Sequence, residues 1–513
     1  MLRGWLEVCD RHQDCRSSGD KVLPKRLVDI GDGANPTVKI ISATEDHRYL
    51  ALSHCWGFGK KPLSTIRANE ASMRLEIPWE ALPLSFQDAI RVTRWLDARY
   101  IWIDSLCILQ DDDQDWQEES AKMAGIFSGC HLSIAASRAS SCDEGFLQVR
   151  NEGRWVITST YQGTPLVVFA RDSTGHTVLK GVVPFPWFEL PLFHRAWCFQ
   201  ERLLAPRTLH FARDELFFQC RTEDQCECSG RSAWKQSSTP ESLLGRTAGA
   251  FVQRLYEPQG DVAEDQETPI RFGQLWGDVV SEYTSLNITY QQDVLPAISG
   301  IANLMLAHSP GRYFAGLWEL DIHYLLAWNS DLEEGRCYRP QEYTAPSFSW
   351  ASRFGQVFFS WQCRITRVCV VLDIRCEANG ADPYGRLLPG GYIVLQGKLI
   401  SGTIKSCLTD TTWRYSLTGW DPNMEDSPAN PQFDTEEDEK DIQQGIETRV
   451  YYFDLFRETD WVDEEENGIG NEYAHSIVLR DGDEPGTFRR IGTAFDIPAV
   501  AFDCVPDVIV KIV

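Results

Sequence analysis

Positive charge is scarce in this chain: 49 lysines and arginines stand against 74 aspartates and glutamates, a formal net charge of −25. Such a balance repels phosphate backbones and anionic lipid, so neither nucleic acid nor a membrane surface is expected as a partner. No apolar run reaches the 18 residues of a membrane-crossing helix and no signal peptide follows Met1, so a cytoplasmic location is expected. No two histidines stand four apart with a glutamate beside them, which argues against a zinc-dependent hydrolase. Gly390-Gly391 reads as a turn before a strand rather than a phosphate loop, and no internal repeat is visible. Cysteine is not lacking, but the sixteen cysteines are spread through apolar segments, which favours reduced, buried thiols over a disulfide framework.

The most informative stretch is Tyr100–Ser137. Tyr100–Leu109 is apolar except for Asp104 and Ser105 and reads as a buried strand. After the acidic loop Gln110–Gln114, Asp115 is placed as an N-cap with Glu118 as its reciprocal partner. Trp116, Met123, Ile126 and Phe127 then share one helical face, on which Glu119 also lies. His131–Ala136 is a second short strand, so the unit is strand, helix, strand, with a parallel pair expected. A carboxylate on an apolar face must be paired or employed. Asp104 and Glu119 are therefore either structural ion pairs or parts of a site.

Upstream, Tyr49–Gly57 alternates as a strand and ends in Ser53-His54-Cys55-Trp56-Gly57. Adjacent strand residues face opposite ways, so His54 is not expected to activate Cys55 as a nucleophile. Leu84–Leu96 reads as an amphipathic helix with Ser85 as its N-cap. Downstream, Arg195–Leu204 is a helix stopped by Pro206, with Trp197, Glu201 and Leu204 on one face, followed by a hairpin of Thr208–Phe211 and Glu215–Cys220. Glu201 is a third acid on an apolar stripe, and an ion pair with a nearby arginine is its bland explanation. At the start of the chain, Cys9, His12 and Cys15 could hold zinc if a fourth ligand arrived, Cys226 and Cys228 being conceivable donors; a packed N-terminal helix is the favoured explanation, and no metal is assigned.

These readings divide the chain into an N-terminal segment (1–45), an α/β domain (46–220), an insertion (221–270) with one helix at Leu243–Leu255, a helical, aromatic-rich segment (271–360) and a mostly β region (361–513). Within the last, 421–444 is acidic and expected to be disordered.

The blocks LSHCWG (Leu52–Gly57), WIDSLCI-x-Q (Trp102–Gln110) with D-W-x-x-E-x-x-x-M (Asp115–Met123), and R-x-W-x-x-Q-E-R (Arg195–Arg202) together resemble the fungal heterokaryon incompatibility (HET) domain. DVLPAISGIA, YFAGLW and PSFSWAS resemble the wider architecture of such proteins. Phe127 and Cys198 stand where Tyr and Thr are common in the family. The resemblance implies a role in non-self recognition or programmed cell death. Through a distant similarity of HET to TIR domains, it also implies a TIR- or flavodoxin-like sheet with flanking helices, an α/β fold, joined here to an α+β or mostly β C-terminal region. Some TIR domains cleave NAD with a catalytic glutamate; Glu119, Glu144 and Glu201 are all candidates for it.

The residues expected to carry such chemistry are Glu201 first, because Gln200 and Arg202 flank it with orienting donors, then Glu119 and Asp104. Ser53, His54, Trp56, Gln110, Trp116, Arg195, Trp197, Gln200 and Arg202 are the expected substrate-binding groups, the tryptophans as stacking faces and the arginines for phosphates. No cofactor is expected; NAD enters as a substrate. The alternative from another class is a non-enzymatic module that acts by self-association or by binding a protein partner.

Overall fold

The structure is a computed structural model. It describes residues 1–15, 22–32, 36–57, 59, 61–147, 155–161, 163–213, less 171–189, 215–227, 268–269, 271–306, 311–332, 337–359, 364–409, 412–418, 427–428, 431–443, 448–459 and 472–513. They fall into two compact units, Met1–Glu257 and Pro258–Val513. The expected helix at Leu243–Leu255 lies outside the described residues.

The strands of the first unit are β1 (Arg26–Asp29), β2 (Lys39–Ser42), β3 (Tyr49–Ser53), β4 (Tyr100–Trp102), β5 (Leu132–Ala135), β6 (Trp155–Tyr161), β7 (Thr164–Ala170), β8 (Arg207–Phe211), β9 (Leu216–Cys220) and β10 (Asp224–Cys226). Eight of them make one mixed sheet in the order β10-β9-β8-β5-β3-β4-β1-β2, and β6 and β7 pair separately. The four inner strands are parallel, and the outer ones run antiparallel to their neighbours. Among the inner strands β3 comes first in the chain; β4 joins on one side of it, β5 and β8 on the other. Growth of the sheet therefore reverses between β3 and β5, and such a switch point opens a crevice at the carboxyl ends of the strands.

The helices are α1 (Leu2–Cys9), α2 (Glu70–Met73), α3 (Leu84–Trp95), α4 (Asp104–Cys107), α5 (Asp113–Gly129) and α6 (Ala196–Leu204). Four expectations change in detail. The apolar run Tyr100–Leu109 leaves the sheet after Trp102 and turns into α4, closed by the Cys107 and Ile108 N–H groups on the carbonyls of Ile103 (2.8 Å) and Asp104 (3.0 Å). Asp112, not Asp115, caps α5, accepting from the Asp115 N–H at 3.2 Å. Pro83 precedes α3, while the Ser85 hydroxyl donates to the Glu144 carbonyl instead of capping. β4 and β5 are parallel but not paired, since β3 lies between them.

Asp115 has a larger task than a cap. Arg26 on β1 clamps it with two bonds of 2.9 Å, and the Lys25 ammonium and the Leu109 N–H donate to it as well. Both members of the ion pair are buried. Despite burial, these donors hold the Asp115 carboxyl down to about 2. The start of α5 is thereby pinned to β1, while Met123, Ile126 and Phe127 bury its other end, with Phe127 edge-on to Trp102 at 5.7 Å.

The second unit is mostly β, with helices at Arg271–Thr284 and Pro296–Leu306. Its largest sheet is organised by the strand Tyr392–Thr409, which pairs antiparallel with Val370–Arg375, Thr412–Thr418, Thr448–Thr459 and Asp507–Ile512. In the acidic stretch expected to be disordered, the described residues instead form a strand (Pro431–Phe433) and a helix (Glu436–Gln443), because Phe433 and Ile442 enter the core beside Tyr452 and Val478. Among the described residues no helix is long and apolar enough to cross a membrane.

Asp115→Ala leaves the buried Arg26 guanidinium uncompensated and should cost about 3 kcal/mol of stability; the double variant Arg26→Met with Asp115→Leu should recover much of it. Urea unfolding of the variants measures this, and equal losses in both would contradict the pairing. The folded carboxyl is depressed, so the contribution is complete above the unfolded value of 3.8 and disappears as pH falls through about 2.

Candidate functional site

Three chain segments meet at the carboxyl end of β3. The first is β3 itself with its exit, Ser53 to Gly57. Gly57 has φ +101°, and a Cβ there would stand 2.7 Å from the Cβ of Ser141, so only glycine lets the chain turn away after Trp56. The second is α4, which begins at Asp104 just beyond the end of β4. The third is α6, which carries Glu201 and has Arg195 at its N-cap position.

The side chains interlock. The Ser53 hydroxyl donates to Glu201 Oε2. The Arg195 guanidinium donates to the His54 carbonyl. Trp56 Nε1 donates to Asp104 Oδ2 at 2.8 Å, and His54 Nε2 stands 3.8 Å from Asp104 Oδ1. Phe86 of α3 closes over His54 edge-on at 5.0 Å. Gln110 donates to the carbonyls of Asp104 (3.4 Å) and Ile108 (3.1 Å), which ties the end of α4 to the cluster.

Burial sets the charges. Glu201 is 6% exposed, and this burial pushes its carboxyl up to about 7, helped by the Asp104 charge; Arg195 and the bonds from Ser53 and Cys198 pull the other way. His54 is pushed down to about 4, first by burial and then by Arg195, against the opposing Asp104 charge and a hydrogen bond with Leu52. Burial thus favours a neutral imidazole at His54 and, in the same cluster, raises the Glu201 carboxyl toward neutrality. Burial also raises the Cys55 thiol to about 11, so it is not a thiolate nucleophile at neutral pH.

Beside Ser53 lies a narrow, mainly apolar recess between α6 and the sheet, bordered by Ser133, Cys198, Arg202 and His210. Ser53 and Ser133 come from β3 and β5, the two strands at the switch point. The Arg202 guanidinium lies 4.6 Å from the centre of the Phe193 ring. Ser133 and His210 were not legible as lining residues, because alternation in a strand says which residues share a face but not what covers it.

The remaining expected residues divide. Trp116 of α5 and Trp197 of α6 meet edge-to-face at 6.4 Å, both half-buried, with Trp197 one helical turn before Glu201. Gln200 is buried. Glu119 is committed elsewhere: fully buried on α5, it accepts from the Lys25 N–H and the Lys122 ammonium, each at 2.9 Å. Glu144 is exposed and accepts from the Ser140 N–H at 2.7 Å.

Compared with known families, residues 49–201 match the model described as "Heterokaryon incompatibility protein (HET)". No curated protein and no solved structure matches the chain. The matched span begins with β3 and ends on Glu201 itself, so every residue of the interlocked cluster lies within it.

Glu201→Gln removes an acid whose folded value lies above its unfolded one. The carboxyl's contribution is intact below about pH 4.5 and is lost as pH rises through about 7, where the folded state must carry a buried charge. The variant should therefore be more stable than the parent at pH 8 by roughly 2–3 kcal/mol, and close to it at pH 5. His54 titrates in both proteins and cancels. Thermal melts at the two pH values decide; an equal shift at both would contradict the raised carboxyl.

Proposed function

Residues 49–201 of this chain are a heterokaryon incompatibility domain, and from that premise we propose that the protein is an effector of fungal non-self recognition and programmed cell death that hydrolyses NAD or a related nucleotide. The observation that carries the proposal is Glu201: a buried carboxyl poised near neutrality, bonded to Ser53 at the mouth of the switch-point crevice. Support for a TIR- or flavodoxin-like reading comes from the inner strand order, in which the first inner strand, β3, has the second, β4, on one side and the third and fourth, β5 and β8, on the other.

The chemistry asks for little. Breaking the nicotinamide–ribose bond releases neutral nicotinamide and leaves an oxocarbenium-like ribose, which an ionised carboxylate stabilises. Water then adds to the ribose carbon and loses a proton, giving ADP-ribose, nicotinamide and H⁺ from NAD⁺ and water. In this reading Glu201 faces the ribose and Ser53 orients it. Asp104, fixed by Trp56, supplies a second charge, and Arg195 and Arg202 meet the phosphates. Trp56, Trp116 or Trp197 offers the stacking face.

A second reading has its own observation. Ser53, His54 and Glu201 are each at most 6% exposed, as befits a polar network that holds a fold. In that case the domain works by self-association or by binding a protein partner, without turnover.

Nicotinamide release from NAD by the purified full-length chain separates the two. The parent should release it, and Glu201→Ala should lose on the order of 100-fold or more while remaining folded. Glu119→Ala and Glu144→Ala serve as comparisons, and if one of them abolishes release instead, the acid is misassigned. No release at high protein concentration with a crowding agent would favour the interaction module.

A further inference from the structure

The end of α1, far from Glu201 in sequence, gathers four soft ligands. Cys9 is the last residue of the helix, a tight turn brings the His12 N–H onto the Cys9 carbonyl (3.0 Å), and Cys15 follows three residues later. The fourth group is Cys220, the last residue of β9, delivered by the sheet from the other end of the unit. One ligand atom from each residue lies within 4.8 Å of all the others. We propose that Cys9, His12, Cys15 and Cys220 form a tetrahedral Cys₃His zinc site that clips the N-terminal helix to the β9–β10 turn.

The distances suit that ion. Zinc bonds of about 2.3 Å to sulfur and 2.0–2.1 Å to nitrogen place tetrahedral S and N ligands about 3.6 Å apart. His12 Nδ1 stands 3.7 Å from Cys15 Sγ and 3.6 Å from Cys220 Sγ. The imidazole is thus already turned toward two thiols, which a disulfide between any two of the cysteines would not explain. All three cysteines are 1–2% exposed, as a closed structural site requires.

The surrounding groups suit it as well. Glu223 Oε1 lies 3.9 Å from His12 Nε2, where it can orient the imidazole from behind. The Glu223 N–H donates to Cys220 Sγ at 3.2 Å, a bond that favours the thiolate. Three thiolates around Zn²⁺ leave one net negative charge, and two arginines close on the same turn: Arg207 donates to the Cys15 carbonyl (3.3 Å) and Arg221 to that of Asp14 (3.1 Å).

Of the donors conceivable from sequence, Cys226 is outside this set and Cys228 lies outside the described residues. Four protein ligands leave no position for substrate, so the ion is structural. It also supplies what α1 needs. Eight residues are too few for a stable helix alone, and the ion would add to the anchors α1 already has: Trp5 against Phe218 at 6.0 Å, Arg3 on the Trp95 carbonyl and on Asp97, and Arg207 on the C-cap Asp10 at 2.6 Å.

The test is elemental analysis of the full-length chain purified from zinc-containing medium without chelator. About one zinc per chain is expected; Cys220→Ser and His12→Ala should lose it, and Cys226→Ser should keep it. Should the ligand variants fail to fold, the parent protein reconstituted with Co²⁺ still decides. Tetrahedral thiolate ligation gives intense visible bands and near-ultraviolet charge transfer. A metal-free parent that acquires no such spectrum, a disulfide among the three cysteines found by mass spectrometry, iron in place of zinc, or zinc retained by Cys220→Ser would each overturn the site.

Discussion

A carboxyl group withdrawn from water must find its hydrogen bonds within the chain, and Glu201 is the acid for which this matters most. Its partner hydroxyl, Ser53, stands at the last position of β3, so α6 has to lie across the end of that strand. The cap residue of the same helix, Arg195, reaches the carbonyl of His54, one residue further along. The two bonds fix α6 against the exit of β3 over most of its length, and the chain then enters β8 beside β5. The crevice at the switch point is therefore not a gap left by packing. It is bounded by the groups that a buried acid needs.

Two buried acids in this unit meet opposite fates, and the difference is in their donors. Asp115 receives a paired guanidinium, an ammonium and a backbone N–H, enough to overcome burial and keep it ionised at any ordinary pH. Glu201 receives a hydroxyl and the more distant influence of Arg195 while sharing its surroundings with Asp104, and burial wins. The first arrangement holds α5 on β1. The second keeps a proton available near neutrality, which is the property a reacting acid needs and a structural one does not. The same comparison separates Glu201 from Glu119, whose oxygens are committed to Lys25 and Lys122.

Much of this was legible. The strand ending at Ser53, the helices around Ile90, Met123 and Glu201, and the hairpin after Pro206 all follow from the spacing of apolar residues, because periodicity reports which face is buried. The short turn α4 was not, since an apolar strand and a short buried helix look alike over so few residues. Caps are not legible either: α5 starts among Asp111, Asp112, Asp113 and Asp115, α3 starts one residue before Ser85, and only the backbone path decides which side chain faces the free N–H groups.

By itself the sequence determined the membership of residues 49–201 in the heterokaryon incompatibility family, the parallel core and the identity of nearly every residue in the cluster, because motif blocks and periodicity are local. Tertiary structure alone decided which of these residues meet. It chose Ser53 as the partner of Glu201, Arg26 as that of Asp115, and Cys220 as the fourth group beside Cys9, His12 and Cys15. Each of these contacts joins elements that are distant in the chain, and strand order, which brings them together, is set by which faces the whole unit must bury.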